Sequence, residues 1–145
     1  MTYEFVTHTP EETEAVGNTL AHALLDMGLR RAFVAMRGEM GVGKTAFARG
    51  FGAALGVSSV KSPTYTVVSE HHGEPIPLFH FDMYRITDSD DLWSIGYDDY
   101  LAREGYLLCE WSERIEEEIP QDAIFVTLLR GEEEGDRTII IEGDL

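Results

Sequence analysis

The segment Gly38-Glu-Met-Gly-Val-Gly-Lys-Thr45 constrains the fold of this chain more than any other. It fits the pattern G-x-x-x-x-G-K-[ST], in which a glycine-rich loop, the P-loop, wraps around phosphate groups. Glycine permits backbone angles that other residues avoid, so that successive loop N–H groups converge on an anion. The lysine supplies a positive charge for the β- and γ-phosphates, and the threonine hydroxyl is a ligand for Mg²⁺.

The residues on either side of this loop have the pattern that the motif requires. Arg31–Arg37 is a mostly apolar segment, typical of a strand, that leads into the loop. Thr45–Leu55 has Phe47 and Phe51 on one helical face, and Gly56 follows as the residue that ends the helix. Because a strand, a glycine-rich loop and a helix follow in this order, the sequence predicts a nucleoside triphosphate site.

Composition limits the partners that the chain is suited to bind. Its 145 residues are enough for one domain with one sizeable core, and the apolar share of 43% is ordinary for a globular protein. With 27 acidic and 11 basic residues the net charge is −16. This argues against a broad nucleic-acid-binding surface, which needs Lys and Arg, and it favours either a basic protein partner or simple solubility.

The chain has the features of a cytoplasmic protein. Cys109 is its only cysteine, so that no disulfide within the chain is expected, and its setting predicts a buried strand position. No apolar run approaches the roughly 18 residues of a membrane span. The first residues lack the basic and apolar regions of a signal peptide, so neither secretion nor a membrane partner is expected.

Periodicity predicts an α/β fold. Thr9, Pro10 and Glu12 mark the start of a helix with a capping box, and Gly28 ends that helix. A further short helix is expected from Asp88 to Ile95. Strands are predicted at 3–7, 31–37, 60–70, 76–84, 105–111, 123–129 and 138–141, with hairpins around the turns at 71–75 and 131–135. The expected architecture is a P-loop NTPase-like three-layer sandwich with a mixed central sheet, formed by one domain over residues 1–145.

Two apolar strands end in an acid that is a candidate Mg²⁺ ligand. A P-loop protein needs such a carboxylate beside its loop, together with a group that places the attacking water. Leu107–Glu110 and Phe79–Asp82 both place a carboxylate at the end of a strand. The residues alone leave open which acid holds the metal.

Two further segments are candidates for a role near the nucleotide. Ser62-Pro-Thr-Tyr65 is either a switch segment that senses the γ-phosphate or an ordinary turn. Trp111, beside Glu110, is a core residue, a shield against water or a docking residue.

Four of these motifs together resemble one family. Gly38–Thr45, Lys61-Ser-Pro-Thr-Tyr65, His80-Phe-Asp-Met-Tyr-Arg85 and Glu110-Trp111 occur in the order and approximate spacing of the bacterial TsaE family, also called YjeE. The resemblance covers nearly the whole chain. It implies a small ATPase that uses ATP and Mg²⁺ and works with the proteins TsaD and TsaB in threonylcarbamoyl modification of adenosine 37 in tRNA. In this family the ATPase is not the transferase, and it meets tRNA only indirectly.

The resemblance also implies roles for individual residues. Asp82 would position the attacking water, and Lys44 would act on the phosphates. Thr45 and Glu110 would hold Mg²⁺. Thr64 would belong to a switch loop, and Trp111 would lie beside the nucleotide or at the partner surface. The nucleotide would be bound by Gly38, Glu39, Met40, Gly41, Val42, Gly43, Lys44, Thr45 and Ala46, with Thr9, Arg130 and Arg137 as candidates near the adenine.

Other functions share the same loop. A small-molecule kinase would need an acceptor pocket and an arginine-rich lid, and no such lid is evident between the loop and Pro120. A nucleotide-gated binding protein without useful hydrolysis also fits the sequence, because hydrolysis depends on water geometry at the level of about 1 Å. A GTPase is disfavoured, since no Asn-Lys-x-Asp element is present.

Overall fold

A computed structural model of the chain describes residues 1–39, 41–58, 60 and 67–145, and its centre is a seven-stranded sheet. The strands are β1 (Thr2–Thr7), β2 (Arg31–Arg37), β3 (Val68–His71), β4 (Leu78–Asp82), β5 (Gly105–Glu110), β6 (Ile124–Arg130) and β7 (Arg137–Glu142). The helices are α1 (Pro10–Asp26), α2 (Lys44–Ala53), α3 (Ser89–Ser94) and α4 (Tyr97–Ala102), with a 3₁₀ segment at Ser112–Glu118. No helix in these described ranges is long and apolar enough to cross a membrane.

The sheet is mixed, as the sequence predicts. Its strand order is β1-β7-β6-β2-β5-β4-β3. The four strands β6, β2, β5 and β4 run parallel, whereas β7, β1 and β3 are antiparallel to their neighbours. Parallel strands end at the same edge of a sheet, and ligands of α/β proteins bind at that edge. The loop after β2, Asp82 at the end of β4 and Glu110 at the end of β5 therefore meet there.

Helices cover both faces of the sheet, which confirms the three-layer sandwich. On one face, α1 and α2 enclose an apolar core that includes Leu24, Phe47 and Phe51, all without exposed surface. On the other face, α3, α4 and the 3₁₀ segment enclose a second core, which includes Phe79 and Phe81. Apolar side chains on both faces of the central strands explain why β5 is buried along its whole length.

Two glycines let α1 and α2 come into direct backbone contact. A Cβ atom on Gly17 would lie 3.1 Å from both the carbonyl carbon of Phe47 and the backbone nitrogen of Phe51. A Cβ atom on Gly50 would lie 2.5 Å from the carbonyl carbon of Glu14. Since α2 begins at the end of the glycine-rich loop, this close packing also fixes where the loop stands.

The start of α1 follows the predicted cap with one difference. The Thr9 hydroxyl accepts the N–H of Glu12 at 3.2 Å, and Pro10 is the first helical residue. The Glu12 carboxylate accepts the N–H of His8 at 2.6 Å, where a capping box has the N–H of the cap residue itself. Gly28, with φ of 76°, follows the end of the helix as expected.

The region after Gly56 differs most from expectation. Of the strand predicted at 60–70, residues 61–66 lie outside the described part of the chain, and β3 occupies Val68–His71. The last residue of β3 therefore belongs to a strand and not to the predicted turn. The helix α4 was not predicted. Like α3, it has six residues, too few to show a helical period, but α3 follows the capping residue Asp88, whereas α4 follows Gly96, which has no side chain to act as a cap.

Candidate nucleotide site

The glycine-rich loop joins the central strand β2 to the N-terminus of α2. Gly43 precedes the helix with φ of 106°, a left-handed angle that favours glycine. A Cβ atom on Gly38 would lie 2.9 Å from both the carbonyl oxygen of Leu128 and Cγ1 of Val42. Only glycine fits at these positions, and the positive end of the α2 dipole lies at this loop, as in sites that bind phosphate.

Lys44, the first residue of α2, folds back onto the loop. Its Nζ donates a hydrogen bond of 2.9 Å to the carbonyl oxygen of Gly38. The same Nζ lies 4.2 Å from the centroid of the Trp111 ring, and the residue is only 6% exposed. A cation between a carbonyl and an aromatic face is stabilised while it is shielded from water. Trp111 thus lies beside the candidate phosphate site.

Both candidate acids line one cavity with the loop. The cavity has a volume of about 380 Å³ and is lined by Gly41, Gly43, Lys44, Thr45, Asp82, Glu110 and Trp111. Asp82 and Glu110 are paired directly across β4 and β5. The half-buried Asp82 accepts the N–H of Tyr84 at 3.0 Å. Sequence reasoning identified both acids, and the strand register explains why they share one site.

Glu110 is buried and hydrogen-bonded. Its Oε2 lies 2.6 Å from Nε2 of His80, and their side chains are 6% and 1% exposed. The thiol of the preceding residue is also affected, because burial, followed by the negative charges of Glu110 and Asp82, raises the pKa of Cys109. The burial of Cys109 confirms the prediction. The contact between His80 and Glu110 was missed, although the alternation His80-x-Asp82 along a strand placed both residues on one face.

Trp111 has an unusual backbone that directs its ring. It has φ of 59° and ψ of 39°, a left-handed conformation that costs a bulky residue about 1–2 kcal/mol. The next residue, Ser112, is buried and donates its hydroxyl to the carbonyl oxygen of Met36 at 3.1 Å. The sharp turn brings the Trp111 ring to 4.9 Å from that of Tyr84 as well as over Lys44. Strain of this kind is typical of functional positions.

The donor set suits Mg²⁺ and a triphosphate. Mg²⁺ prefers oxygen ligands and is held in such sites by one or two carboxylates together with substrate phosphates. Thr45, Asp82 and Glu110 offer a hydroxyl and two carboxylates in one cavity. In the described part of the chain, no three His, Cys, Asp or Glu side chains form a metal cluster.

The two arginines proposed near the adenine lie against the loop. Arg137 donates from Nε to the carbonyl oxygen of Val42 at 2.9 Å. Arg130 pairs with the exposed Glu39 at 3.4 Å, and its guanidinium would lie 3.4 Å from a Cβ atom on Gly41. Both are therefore neighbours of the phosphate-binding segment.

The start of α1 also adjoins the loop. Thr9 caps this helix, as described above. Thr13, which sequence reasoning missed, is 2% exposed and shares a hydrogen bond of 2.9 Å with the Thr7 hydroxyl. Its methyl group would lie 3.8 Å from a Cβ atom on Gly43. A polar residue on the buried face of the helix was the available signal. Ala46 lies buried in the first turn of α2, and two other candidates, Met40 and Thr64, lie outside the described residues.

A three-layer α/β fold with a glycine-rich loop at the carboxyl edge of its parallel strands suggests a nucleotide-binding protein. The family model described as "Threonylcarbamoyl adenosine biosynthesis protein TsaE" matches residues 7–139. The chain belongs to the TsaE family, which confirms the resemblance of its motifs.

Individual relatives agree with this assignment. A protein of Bacillus subtilis strain 168 is 35% identical over 140 residues, which cover 95% of this chain and 85% of the relative. A protein of Haemophilus influenzae is 36% identical over 114 residues, which cover 77% of this chain and 72% of the relative. Both are named "tRNA threonylcarbamoyladenosine biosynthesis protein TsaE". The crystal structure of Bacillus subtilis YdiB matches with a TM-score of 0.79 and 28% identity, over 99% of this chain and 86% of that one.

Proposed function

We propose that this protein is a cytoplasmic, Mg²⁺-dependent ATPase that acts with TsaD and TsaB in threonylcarbamoyl modification of adenosine 37 in tRNA, without being the transferase. The observation that carries the proposal is the convergence of the glycine-rich loop, Thr45, Asp82 and Glu110 on one cavity. Membership of a family named for this biosynthesis supports the pathway.

Each residue of the cavity has a role in this proposal. The loop N–H groups and Lys44 would bind the phosphates, and Lys44 would exchange its contact with the Gly38 carbonyl for a phosphate oxygen. The Thr45 hydroxyl and the Glu110 carboxylate would hold Mg²⁺, which when bound neutralises phosphate charge. The half-buried Asp82 carboxylate would orient the attacking water and accept its proton. Trp111 would exclude bulk water from Lys44.

The proposal is tested by ATP hydrolysis in Mg²⁺, measured for the protein alone and with TsaD and TsaB added. Glu110→Gln keeps the size of the side chain but removes the charge that would face the metal, so partner-dependent hydrolysis is expected to fall by at least about 100-fold. The matched control is Glu113→Gln, the same change at an exposed acid three residues further on, and it should leave the rate within about 2-fold.

Three results would contradict parts of the proposal. An ATP hydrolysis rate that does not change when TsaD and TsaB are added would contradict their role as partners. Full activity of Glu110→Gln would remove the metal role. Nucleotide binding without hydrolysis, alone and with both partners, would reduce the protein to a nucleotide-gated binding protein.

A further inference from the structure

His80 is a buried polar residue to which the proposed chemistry gives no role. It lies in β4, it has no exposed surface, and it is not part of the cavity lining. Its Nε2 lies 2.6 Å from Oε2 of Glu110, slightly shorter than the usual range of charge-assisted N–H···O hydrogen bonds. A buried carboxylate without a hydrogen-bond donor would be costly, and His80 supplies one.

The hydrogen-bond pattern assigns the proton of the His80 ring. Nδ1 is buried and has no hydrogen-bond partner among the residues that the structure describes. A proton on Nδ1 would create a buried, unsatisfied donor, which proteins avoid more strictly than an unsatisfied acceptor. The neutral tautomer with the proton on Nε2 therefore fits best, and it donates to the Glu110 carboxylate.

The sheet places this donor directly behind the candidate metal acid. His80 and Asp82 are two residues apart on β4 and so lie on the same face. Asp82 is paired with Glu110 on β5, and His80 is paired with Leu108. His80 thus reaches Glu110 from one step deeper in the sheet, while Asp82 stands beside Glu110 at the cavity. The Met83 N–H also bonds the Glu110 carbonyl at 3.0 Å, which fixes the backbone.

We propose that His80 is a positioning residue, whose Nε2–H holds one oxygen of Glu110 and so fixes the orientation in which this carboxylate meets Mg²⁺. The inference rests on the proposed function, because it assumes the metal role of Glu110. Donors behind metal-binding carboxylates fix the ligand's orientation, and their loss typically lowers metal affinity by 10–100-fold.

The test uses the dissociation constant of a non-hydrolysable ATP analogue, measured by calorimetry in Mg²⁺ and in EDTA. The constant in EDTA divided by the constant in Mg²⁺ is the coupling ratio, which measures how much the metal strengthens nucleotide binding. His80→Gln keeps an N–H close to the position of Nε2. His80→Leu removes the donor at similar volume, and His80→Asn shifts it towards the position of Nδ1. His71→Gln is the matched control, because it makes the same change on the neighbouring strand β3 at a histidine whose buried Nε2 has no hydrogen-bond partner within the described ranges.

His80→Leu and His80→Asn are expected to lower the coupling ratio by about 10-fold, whereas His80→Gln and His71→Gln stay within about 3-fold of wild type. The constant in EDTA should remain within about 2-fold in every variant, since the loop is unchanged. In hydrolysis assays the KM for Mg²⁺ should rise more than kcat falls.

Several outcomes would overturn the inference. A folded His80→Asn protein with an unchanged coupling ratio would do so. Equal falls of the ratio in His80→Gln and His80→Asn would also do so, because the shape of the side chain and not its donor would then matter. If a variant lost nucleotide affinity by the same factor in EDTA and in Mg²⁺, the substitution would have damaged the structure and not the metal coupling. A wild-type ratio of one would instead remove the metal role of Glu110, and with it both the proposed function and this inference.

Discussion

The contact between α1 and α2 yields a prediction whose size follows from the structure. Ala is a better helix former than Gly by about 1 kcal/mol, so Gly50→Ala within α2 should stabilise an isolated helix. In the folded protein, however, the three atoms nearest to the new Cβ all belong to the backbone of Glu14: the carbonyl oxygen, the carbonyl carbon at 2.5 Å and Cα at 2.7 Å. Real Cβ contacts essentially never fall below 3.0 Å, and the Glu14 carbonyl oxygen lies closer to the new Cβ than the carbonyl carbon does, so the helices must separate by about 1 Å.

Backbone cannot rotate away as a side chain does, so the cost should lie at the upper end of the 1–3 kcal/mol that is typical of overpacking. The separation also strains the hydrogen bond from Asn18 to the Gly50 carbonyl, which measures 3.1 Å and is worth about 1 kcal/mol. After the gain in helix propensity is subtracted, we expect Gly50→Ala to lower the free energy of unfolding by about 2–3 kcal/mol. For a domain of this size that is a fall in Tm of about 8 °C.

Gly52→Ala is the matched control in the same helix. Its Cβ would meet side chains, the nearest being Cγ2 of Val60 at 2.5 Å, and these can shift. Its stability should stay within about 1 kcal/mol of wild type. Urea and thermal unfolding followed by circular dichroism measure both variants. A Gly50→Ala protein as stable as wild type, or a larger loss in Gly52→Ala, would refute the argument.

Two further predictions concern the surroundings of the site. Arg137→Ala, which removes a charged donor from the Val42 carbonyl, should weaken binding of an ATP analogue by about 10-fold, whereas Arg30→Ala, which loses only an exposed ion pair with Glu104, should change it by less than 3-fold; equal effects in calorimetry would count against support of the loop by Arg137. Cys109, whose thiol is buried and has a raised pKa, should react with a thiol-specific disulfide reagent only on the timescale of unfolding, and labelling in seconds without urea would contradict its burial.

Much of the fold could be predicted from local patterns. The strand Arg31–Arg37 and the closing hairpin of β6 and β7 follow the alternation and the turn residues of the sequence. Caps at Thr9 and Asp88 are hydrogen bonds over three residues, so that the chain carries their signal locally. By contrast, the short helix α4 follows Gly96, which has no side chain to cap its start, and its first residue, Tyr97, is held by ring contacts with Phe33 and Phe81 on other elements.

The candidate site divides in the same way. The glycine-rich loop is contiguous, and phosphate binding by such a loop requires particular residues at fixed spacing. The sequence alone therefore named Gly38, Lys44 and Thr45 as candidates for the phosphate site, and Asp82 and Glu110 as the two candidate metal acids. The neighbours of these candidate residues, in contrast, depend on strand register and on contacts between segments that are distant in sequence. The hydrogen bond between His80 and Glu110 and the contact between Arg137 and the loop join residues 30 and 95 positions apart. A sequence determines such pairs only through the complete fold, because no local pattern specifies which strands become neighbours.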